Sequence, residues 1–147
     1  MRIVRATTIN EVLECIPIEI GIRKKETGNF PLKDMLTFVS SQLDKPYFGF
    51  YIAYEEEKII GFMILFIVPI KGMEQIQIWR IWSDPHYKEV MKEFFNITKQ
   101  WAKETKIHKL TTNMETIRNK RNNIGRIKAL KRRWGFHITG IQLERRI

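Results

Sequence analysis

The sequence has one cysteine, Cys15, and no apolar stretch long enough to cross a bilayer. A single cysteine excludes an internal disulfide and a cysteine-based metal cluster. The longest apolar run, Ile59–Ile70, is shorter than the roughly 20 residues of a membrane-spanning helix and contains Gly61 and Pro69. The N-terminal residues also lack the apolar core of a secretory signal. We therefore expect a cytoplasmic protein with no membrane partner.

Acidic residues are scarce in the C-terminal third of the chain. From Lys109 onward there are eleven lysines and arginines but only two acidic residues, Glu115 and Glu144. Eight of these cations lie within Arg118–Arg133, which has no acidic residue. Like charges at this density repel one another unless an anion lies among them. The segment therefore predicts either a solvated helix face or a surface that binds phosphates, including weak binding of nucleic acid through Arg118–Arg133.

The most informative stretch of the sequence is a strand, a turn and a helix. Glu74–Trp82 alternates polar and apolar residues, as a strand does when one of its faces is buried. This alternation places Trp79 and Trp82 on opposite faces of the strand. Asp84 and Pro85 are expected to start a helix, with Asp84 as the N-cap and Pro85 at the first helical position. The predicted helix therefore follows the strand directly.

A second strand, His108–Met114, is predicted after this helix, whose apolar residues recur with helical spacing from Tyr87 onward. Two strands joined by a helix of this length form a right-handed parallel βαβ unit. Ligands of open α/β sheets bind at the carboxyl ends of parallel strands. We therefore expect the functional site at the turn Trp82–Lys88.

The remaining elements complete a mixed sheet. Thr8–Glu11 has a capping-box pattern and predicts a helix that Pro17 ends, before a charged connection over Ile18–Asn29. Tyr47–Tyr54 and the apolar run Ile59–Ile70 predict strands in an antiparallel meander, with Ile59–Ile70 at the centre of the sheet. The other predicted elements are the strand Arg2–Ala6, the helix Pro31–Leu43, the helix Ile124–Trp134 and the strand His137–Ile147. The prediction is a single α/β (α+β) domain, residues 1–147, of order β-α-α-β-β-β-α-β-α-β, with one parallel βαβ unit after the meander.

This order, together with three short motifs, resembles the GNAT superfamily, the Gcn5-related N-acetyltransferases. The motifs are the turn Trp82–Lys88, Trp101–Glu104 late in the following helix, and the segment Ala129–Phe136, which ends in a Gly-Phe pair. The resemblance implies a GNAT-like mixed sheet and transfer of an acetyl group from acetyl-CoA to an amine acceptor. It also implies that the two parallel strands separate at their carboxyl ends, where family members admit the thioester arm.

The resemblance further implies where the coenzyme binds. Family members hold its pyrophosphate on backbone N–H groups of the turn and helix start, where the helix dipole favours anions. Members usually have a glycine-rich run there, whereas Lys88–Glu93 has no glycine, and many have a tyrosine at about the position of Lys131. Among the side chains, Lys88 is the best candidate for a phosphate contact. The residues implied in coenzyme binding are Trp82, Ser83, Tyr87, Lys88, Glu89, Val90, Met91, Asn113 and Lys131.

Acetyl transfer needs a group that removes a proton from the ammonium of the acceptor. Glu74 opens the strand on which several family members carry a carboxylate base, and His86 lies in the turn, so both are candidate catalytic residues. Each also has a simpler interpretation, as a solvated glutamate at a strand end and as a surface histidine. The three histidines stand near no carboxylate motif, so no metal site is predicted.

Two functions remain open from the sequence. The first is a GNAT-like N-acyltransferase that uses acetyl-CoA and an unknown acceptor. The second is a GNAT-shaped domain without catalysis, whose basic C-terminal third binds nucleic acid or an acidic partner. The element order favours the enzyme, whereas the absence of the glycines and of the tyrosine favours the binding domain.

Overall fold

A computed structural model describes residues 1–25, 31–113, 132, 137–139 and 142–146. The strands are β1 (Arg2–Arg5), β2 (Phe48–Glu55), β3 (Lys58–Val68), β4 (Gln75–Ser83), β5 (Lys109–Asn113), β6 (His137–Thr139) and β7 (Gln142–Arg146). The helices of the described part are α1 (Ile9–Leu13), α2 (Ile16–Arg23), α3 (Leu32–Gln42) and α4 (Glu89–Thr105). All seven strands join one sheet of order β1-β2-β3-β4-β5-β7-β6. Only the β4–β5 pair is parallel among the described pairs, which confirms the predicted meander and βαβ unit.

Helices cover both faces of the sheet, and we name the faces after them. On the α4 face, Val90 and Phe94 pack against a buried cluster that includes Met63 and Leu65 of β3. On the α1–α3 face, residues of α1 and α3 pack against a second cluster that includes Phe62 and Ile64 of β3. Burial on both faces explains why β3 is apolar throughout. The middle strand of the seven is nevertheless β4, so the prediction that Ile59–Ile70 lies at the centre was wrong by one strand.

The structure corrects the predicted elements at three places. Pro17 lies in the first turn of α2, where its missing N–H group is not needed, so the charged connection predicted over Ile18–Asn29 begins as a helix. The helix after β4 begins at Glu89 rather than at Pro85. The final predicted strand is two antiparallel strands, β6 and β7. The capping box at Thr8 and Glu11 is confirmed, whereas the helix predicted over 124–134 lies almost entirely outside the described residues.

Gly61 allows α4 to lie close to β3. A Cβ atom at this position would lie 2.7 Å from Cγ1 of Val90 and 3.0 Å from the carbonyl oxygen of Trp82. We therefore expect Gly61→Ala to lower the free energy of unfolding by about 1–3 kcal/mol, because overpacking forces neighbouring atoms to move. Urea unfolding measures this change. The control is Gly21→Ala in α2, where a Cβ meets nothing within 4 Å, and alanine should stabilise the helix by roughly 1 kcal/mol. Equal effects of the two changes would contradict the packing argument.

Candidate functional site

A β-bulge interrupts β4 at Trp79. Ile64 of β3 lies opposite Arg80 and the next residue, Leu65, lies opposite Ile78, so Trp79 is one extra residue in β4. Trp79 and Trp82 both pack against the buried cluster on the α1–α3 face. The predicted placement of these tryptophans on opposite faces was therefore wrong, because the extra residue shifts the alternation of side chains after the bulge.

The described pairing of β4 with its parallel neighbour β5 ends before the bulge. The β4–β5 pairing joins only Ile76–Ile78 to Leu110–Thr112, while β4 continues to Ser83. Residues 80–83 of β4 therefore pair with β3 on one side, whereas on the other side the described pairs with β5 end at Ile78. We call the space beside residues 79–83 the gap. The described part of β5 ends at Asn113, so the separation of the two parallel strands at their carboxyl ends stays a prediction.

Two backbone N–H groups of β4 point into the gap. The N–H of Asp84 donates to the carbonyl oxygen of Ile60 at 2.8 Å, which fixes the alternation of hydrogen bonds between β3 and β4. In an antiparallel pair, every second residue bonds to the partner strand, so Trp82 and Arg80 also face β3. Ile81 and Ser83 consequently direct their N–H and C=O groups away from β3. Their spacing along the strand, roughly 7 Å, gives the gap two separate donors.

The turn after β4 is held by Asp84 rather than by glycine. Oδ1 of Asp84 accepts a hydrogen bond from the backbone N–H of His86 at 3.0 Å, and its carbonyl oxygen accepts one from the N–H of Tyr87 at 3.0 Å. The bond from His86 lowers the pKa of Asp84, and the Lys58 ammonium, 3.6 Å from Oδ2, acts in the same direction. Asp84 therefore caps this turn and not the helix, contrary to the prediction.

The start of α4 offers fewer free donors than the sequence indicates. The N–H of Tyr87 donates to Asp84, and the N–H of Val90 donates to the carbonyl oxygen of Tyr87 at 3.3 Å. The N–H groups of Lys88 and Glu89 make no hydrogen bond to a described residue, and no described side chain caps the helix. The anion site predicted over Tyr87–Met91 is thus reduced mainly to the donors of Lys88 and Glu89, where the helix dipole favours a negative group.

The other predicted coenzyme-binding residues are spread over several environments. Ser83 lies at the gap, Tyr87 and Met91 are half-buried, and Val90 is fully buried against the core. The side chain of Trp82 lies on the face opposite α4, and its backbone faces β3. Asn113 is the last residue of β5 and pairs with Gln142 of β7. Lys131 lies outside the described residues.

The two candidate acid–base residues are not brought together. Glu74 precedes β4, and its Oε1 accepts a hydrogen bond from the N–H of Gly72 at 3.1 Å. His86 lies beyond the other end of β4 and is exposed. The length of the intervening strand separates them by roughly 30 Å. Glu74 instead lines a cavity of about 470 Å³ with Met73 and His108, at the end of the sheet remote from the gap.

The sequence analysis missed a buried ion cluster beside the bulge. Glu19 of α2 is 1% exposed, and its Oε1 lies 2.8 Å from Nη2 of Arg80 and 3.0 Å from Nε of Arg23. Nε of Arg80 donates a hydrogen bond to Oε2 of Glu19 at 3.0 Å, so Arg80 meets Glu19 through one hydrogen bond and one ion-pair contact. The signal in the sequence was a single carboxylate within the apolar run Ile16–Ile22. A charge buried in this way is expensive unless it is paired.

Solved structures match this fold, although no family model matches the sequence and no curated protein matches it. A ribosomal-protein-alanine N-acetyltransferase from Brucella melitensis matches over 100% of both chains with a TM-score of 0.73 and 15% identity. An acetyltransferase of the GNAT family from Desulfovibrio desulfuricans matches over 99% of this chain and 97% of its own, with a TM-score of 0.69 and 13% identity. The chain has the GNAT fold. A predicted acetyltransferase from Clostridium acetobutylicum, solved with acetyl-CoA, covers 95% of this chain and 91% of its own at a TM-score of 0.71 and 16% identity.

The structure describes β4, the turn after it and α4. The basic segment Arg118–Arg133 lies outside the described residues except for Arg132, which is exposed. Binding of nucleic acid through this segment therefore stays a prediction. No helix of the described part is long and apolar enough to cross a membrane.

Proposed function

We propose that this GNAT-fold protein is an N-acyltransferase that moves an acetyl group from acetyl-CoA to a primary amine. The gap beside residues 79–83 carries the proposal, because none of the described β4–β5 pairs extends beyond Ile78 and two backbone donors of β4 are directed to that side. The uncapped start of α4 follows directly and suits an anion. The solved structures with this fold are described as acetyltransferases, and one was solved with acetyl-CoA.

The turn fits a pyrophosphate in spite of its lack of glycine. The free N–H groups of Lys88 and Glu89 supply two donors, and the exposed ammonium of Lys88 supplies a cation. The negative charge of Asp84 is already engaged by the His86 N–H and by Lys58. We assign Lys88 and the first turn of α4 to the phosphates, with Ser83 holding the arm that leads into the gap.

The donors in the gap suit the chemistry of acyl transfer. Acetyl-CoA supplies a thioester, whose C–S bond breaks as the amine nitrogen bonds to the carbonyl carbon. The N–H of Ile81 is placed to donate to the carbonyl oxygen, where negative charge grows during this step. His86 lies three residues beyond Ser83, so we assign it the uptake of the ammonium proton. A catalytic role for Glu74 stays a prediction, since this residue lies at the other end of β4.

Titration with acetyl-CoA tests the proposal directly. A ligand at about a hundred times its dissociation constant adds roughly 2.7 kcal/mol to the free energy of unfolding, which raises the melting temperature. Release of free CoA thiol is then measured with a panel of primary amines: a peptide with an N-terminal alanine, a lysine-containing peptide, spermidine and an aminoglycoside. Absence of both a thermal shift and amine-dependent thiol release would refute the proposal.

Lys88→Glu should weaken acetyl-CoA binding by roughly tenfold or more, because a charge-assisted bond to phosphate contributes about 1.5–3 kcal/mol and the new carboxylate repels the ligand. Isothermal titration calorimetry measures the change. Lys99→Glu alters the net charge equally but lies about 16 Å further along α4, so it should weaken binding less than about fivefold. Equal weakening by the two variants would show that only net charge matters, and the phosphate site would be wrong.

A further inference from the structure

The Glu19–Arg80 pair joins α2 to the part of β4 that borders the gap. Arg80 directly follows the bulge, so its backbone belongs to the segment beyond the last described β4–β5 pair. Both oxygens of Glu19 contact Arg80, at 2.8 and 3.0 Å, and Arg80 is 10% exposed. Because two nitrogens of the planar guanidinium contact the two oxygens of one carboxylate, the contact restricts direction as well as distance. The second partner of Glu19, Arg23, lies on α2 itself, and its Nη2 contacts Sδ of Met35 in α3 at 3.2 Å, so it does not join α2 to β4.

The side from which the amine approaches follows from the placement of α4. Ile81 of the gap packs on the α4 face, and the start of α4 holds the proposed phosphate site. With α4 over that face, we place the approach of the amine on the α1–α3 face, where α2 reaches Arg80 of β4. Trp79, Arg80 and Trp82 direct their side chains to that face beside the gap. The position of α2 relative to β4 therefore sets the width of the amine entrance.

We propose that Glu19 and Arg80 form a positioning pair, which fixes α2 against β4 so that the amine meets the thioester carbonyl in line. This inference rests on the proposed N-acyltransferase function. Neither residue touches the coenzyme in this arrangement. A misplacement of about 1 Å between reacting groups can lower the rate a hundredfold. Loss of one contact of the pair should therefore lower the rate of acetyl transfer, even though neither residue contacts the coenzyme.

Arg80→Lys tests the pair while it keeps the positive charge. An ammonium cannot reproduce a contact through two nitrogens, so α2 should lose its fixed position. The assay uses the amine of the panel that the wild type acetylates fastest. For Arg80→Lys, we expect the rate of transfer to this amine, divided by the rate of acetyl-CoA hydrolysis by water, to fall roughly tenfold or more. The dissociation constant for acetyl-CoA should stay within twofold of wild type, since the pair lies on the other face from the proposed phosphate site. The ratio of two reactions of the same bound thioester is insensitive to a simple loss of folded protein.

Arg23→Lys is the matched control, because it makes the same chemical change on the same carboxylate within one helix. It should change the ratio of amine transfer to hydrolysis less than about threefold, because it leaves the Glu19–Arg80 contact to β4 in place. Hydrogen exchange gives a readout without catalysis: Arg80→Lys should raise exchange of the α2 amides, Ile16–Arg23, more than Arg23→Lys does. Equal ratios or equal exchange in the two variants would overturn the positioning pair. A wild-type protein that transfers to no amine would refute the proposed function itself, and the inference with it.

Discussion

Replacing Ile81 with proline should lower acetyl transfer by about 10²–10³-fold, the usual cost of removing one donor that faces a developing oxyanion. Proline removes the N–H that we place opposite the thioester carbonyl. The N–H of Ile81 points away from β3, so the β3–β4 ladder loses no hydrogen bond. Proline is tolerated in strands where the N–H group has no partner strand. The turnover number, measured by release of CoA thiol at saturating acetyl-CoA, reports the loss.

Ile81→Val is the control for this change, because it keeps the N–H group and a β-branched side chain. It should retain turnover within about threefold, since Ile→Val costs only 0.5–1.5 kcal/mol in packing. Thermal unfolding of both variants separates loss of the donor from loss of the fold. A proline variant that is folded and turns over at the valine rate would place the carbonyl oxygen elsewhere.

Alkaline pH should destabilise the protein through Cys15. The thiol is 1% exposed, and burial raises its pKa from 9.0 to about 12, with Glu14 and Glu19 adding to the rise. Below pH 9 the thiol is protonated in both the folded and the unfolded states and has no effect. Between pH 9 and 12 the unfolded state loses its proton more readily, so the free energy of unfolding falls as the pH rises. The expected loss reaches roughly 3 kcal/mol by pH 11.

Urea unfolding of the reduced protein at pH 8, 10 and 11 measures this loss. Cys15→Ala removes the titrating thiol, so its stability should fall less over the same range. A smaller decline from about pH 10 should remain, because burial and the hydrogen bond to Glu14 raise the pKa of Tyr54 to about 12. Identical slopes for the wild type and the alanine variant would contradict the assignment to Cys15.

Side-chain periodicity predicted the sheet and α4 well. The alternation in β4 and the helical spacing of Val90, Phe94 and Trp101 are direct consequences of which side chains face a core, and those residues are buried on the α4 face. The order of strands and the parallel pair followed from the connection lengths. Pro17 was misread because proline ends a helix in its interior but is accepted in the first turn, and the sequence alone did not fix where α2 begins.

The features that define the site left little trace in the sequence. A bulge adds one residue without changing composition, so nothing in the run from Gln77 to Trp82 marks Trp79 as the extra residue. The Glu19–Arg80 pair joins residues that are 61 positions apart, and a single sequence does not show such contacts. The turn was located correctly, yet its free donors depend on hydrogen bonds of Asp84 and Tyr87 that appear only in three dimensions.

The three residue pairs between β4 and β5 divide the sheet mechanically into two plates. One plate is the four antiparallel strands β1–β4, and the other is β5, β7 and β6. Among the described residues, three pairs join Ile76–Ile78 to Leu110–Thr112, so bending along this line would disturb fewer described strand pairs than bending within the first plate. We therefore expect any bending of the sheet to be easiest along this line, which ends at the gap.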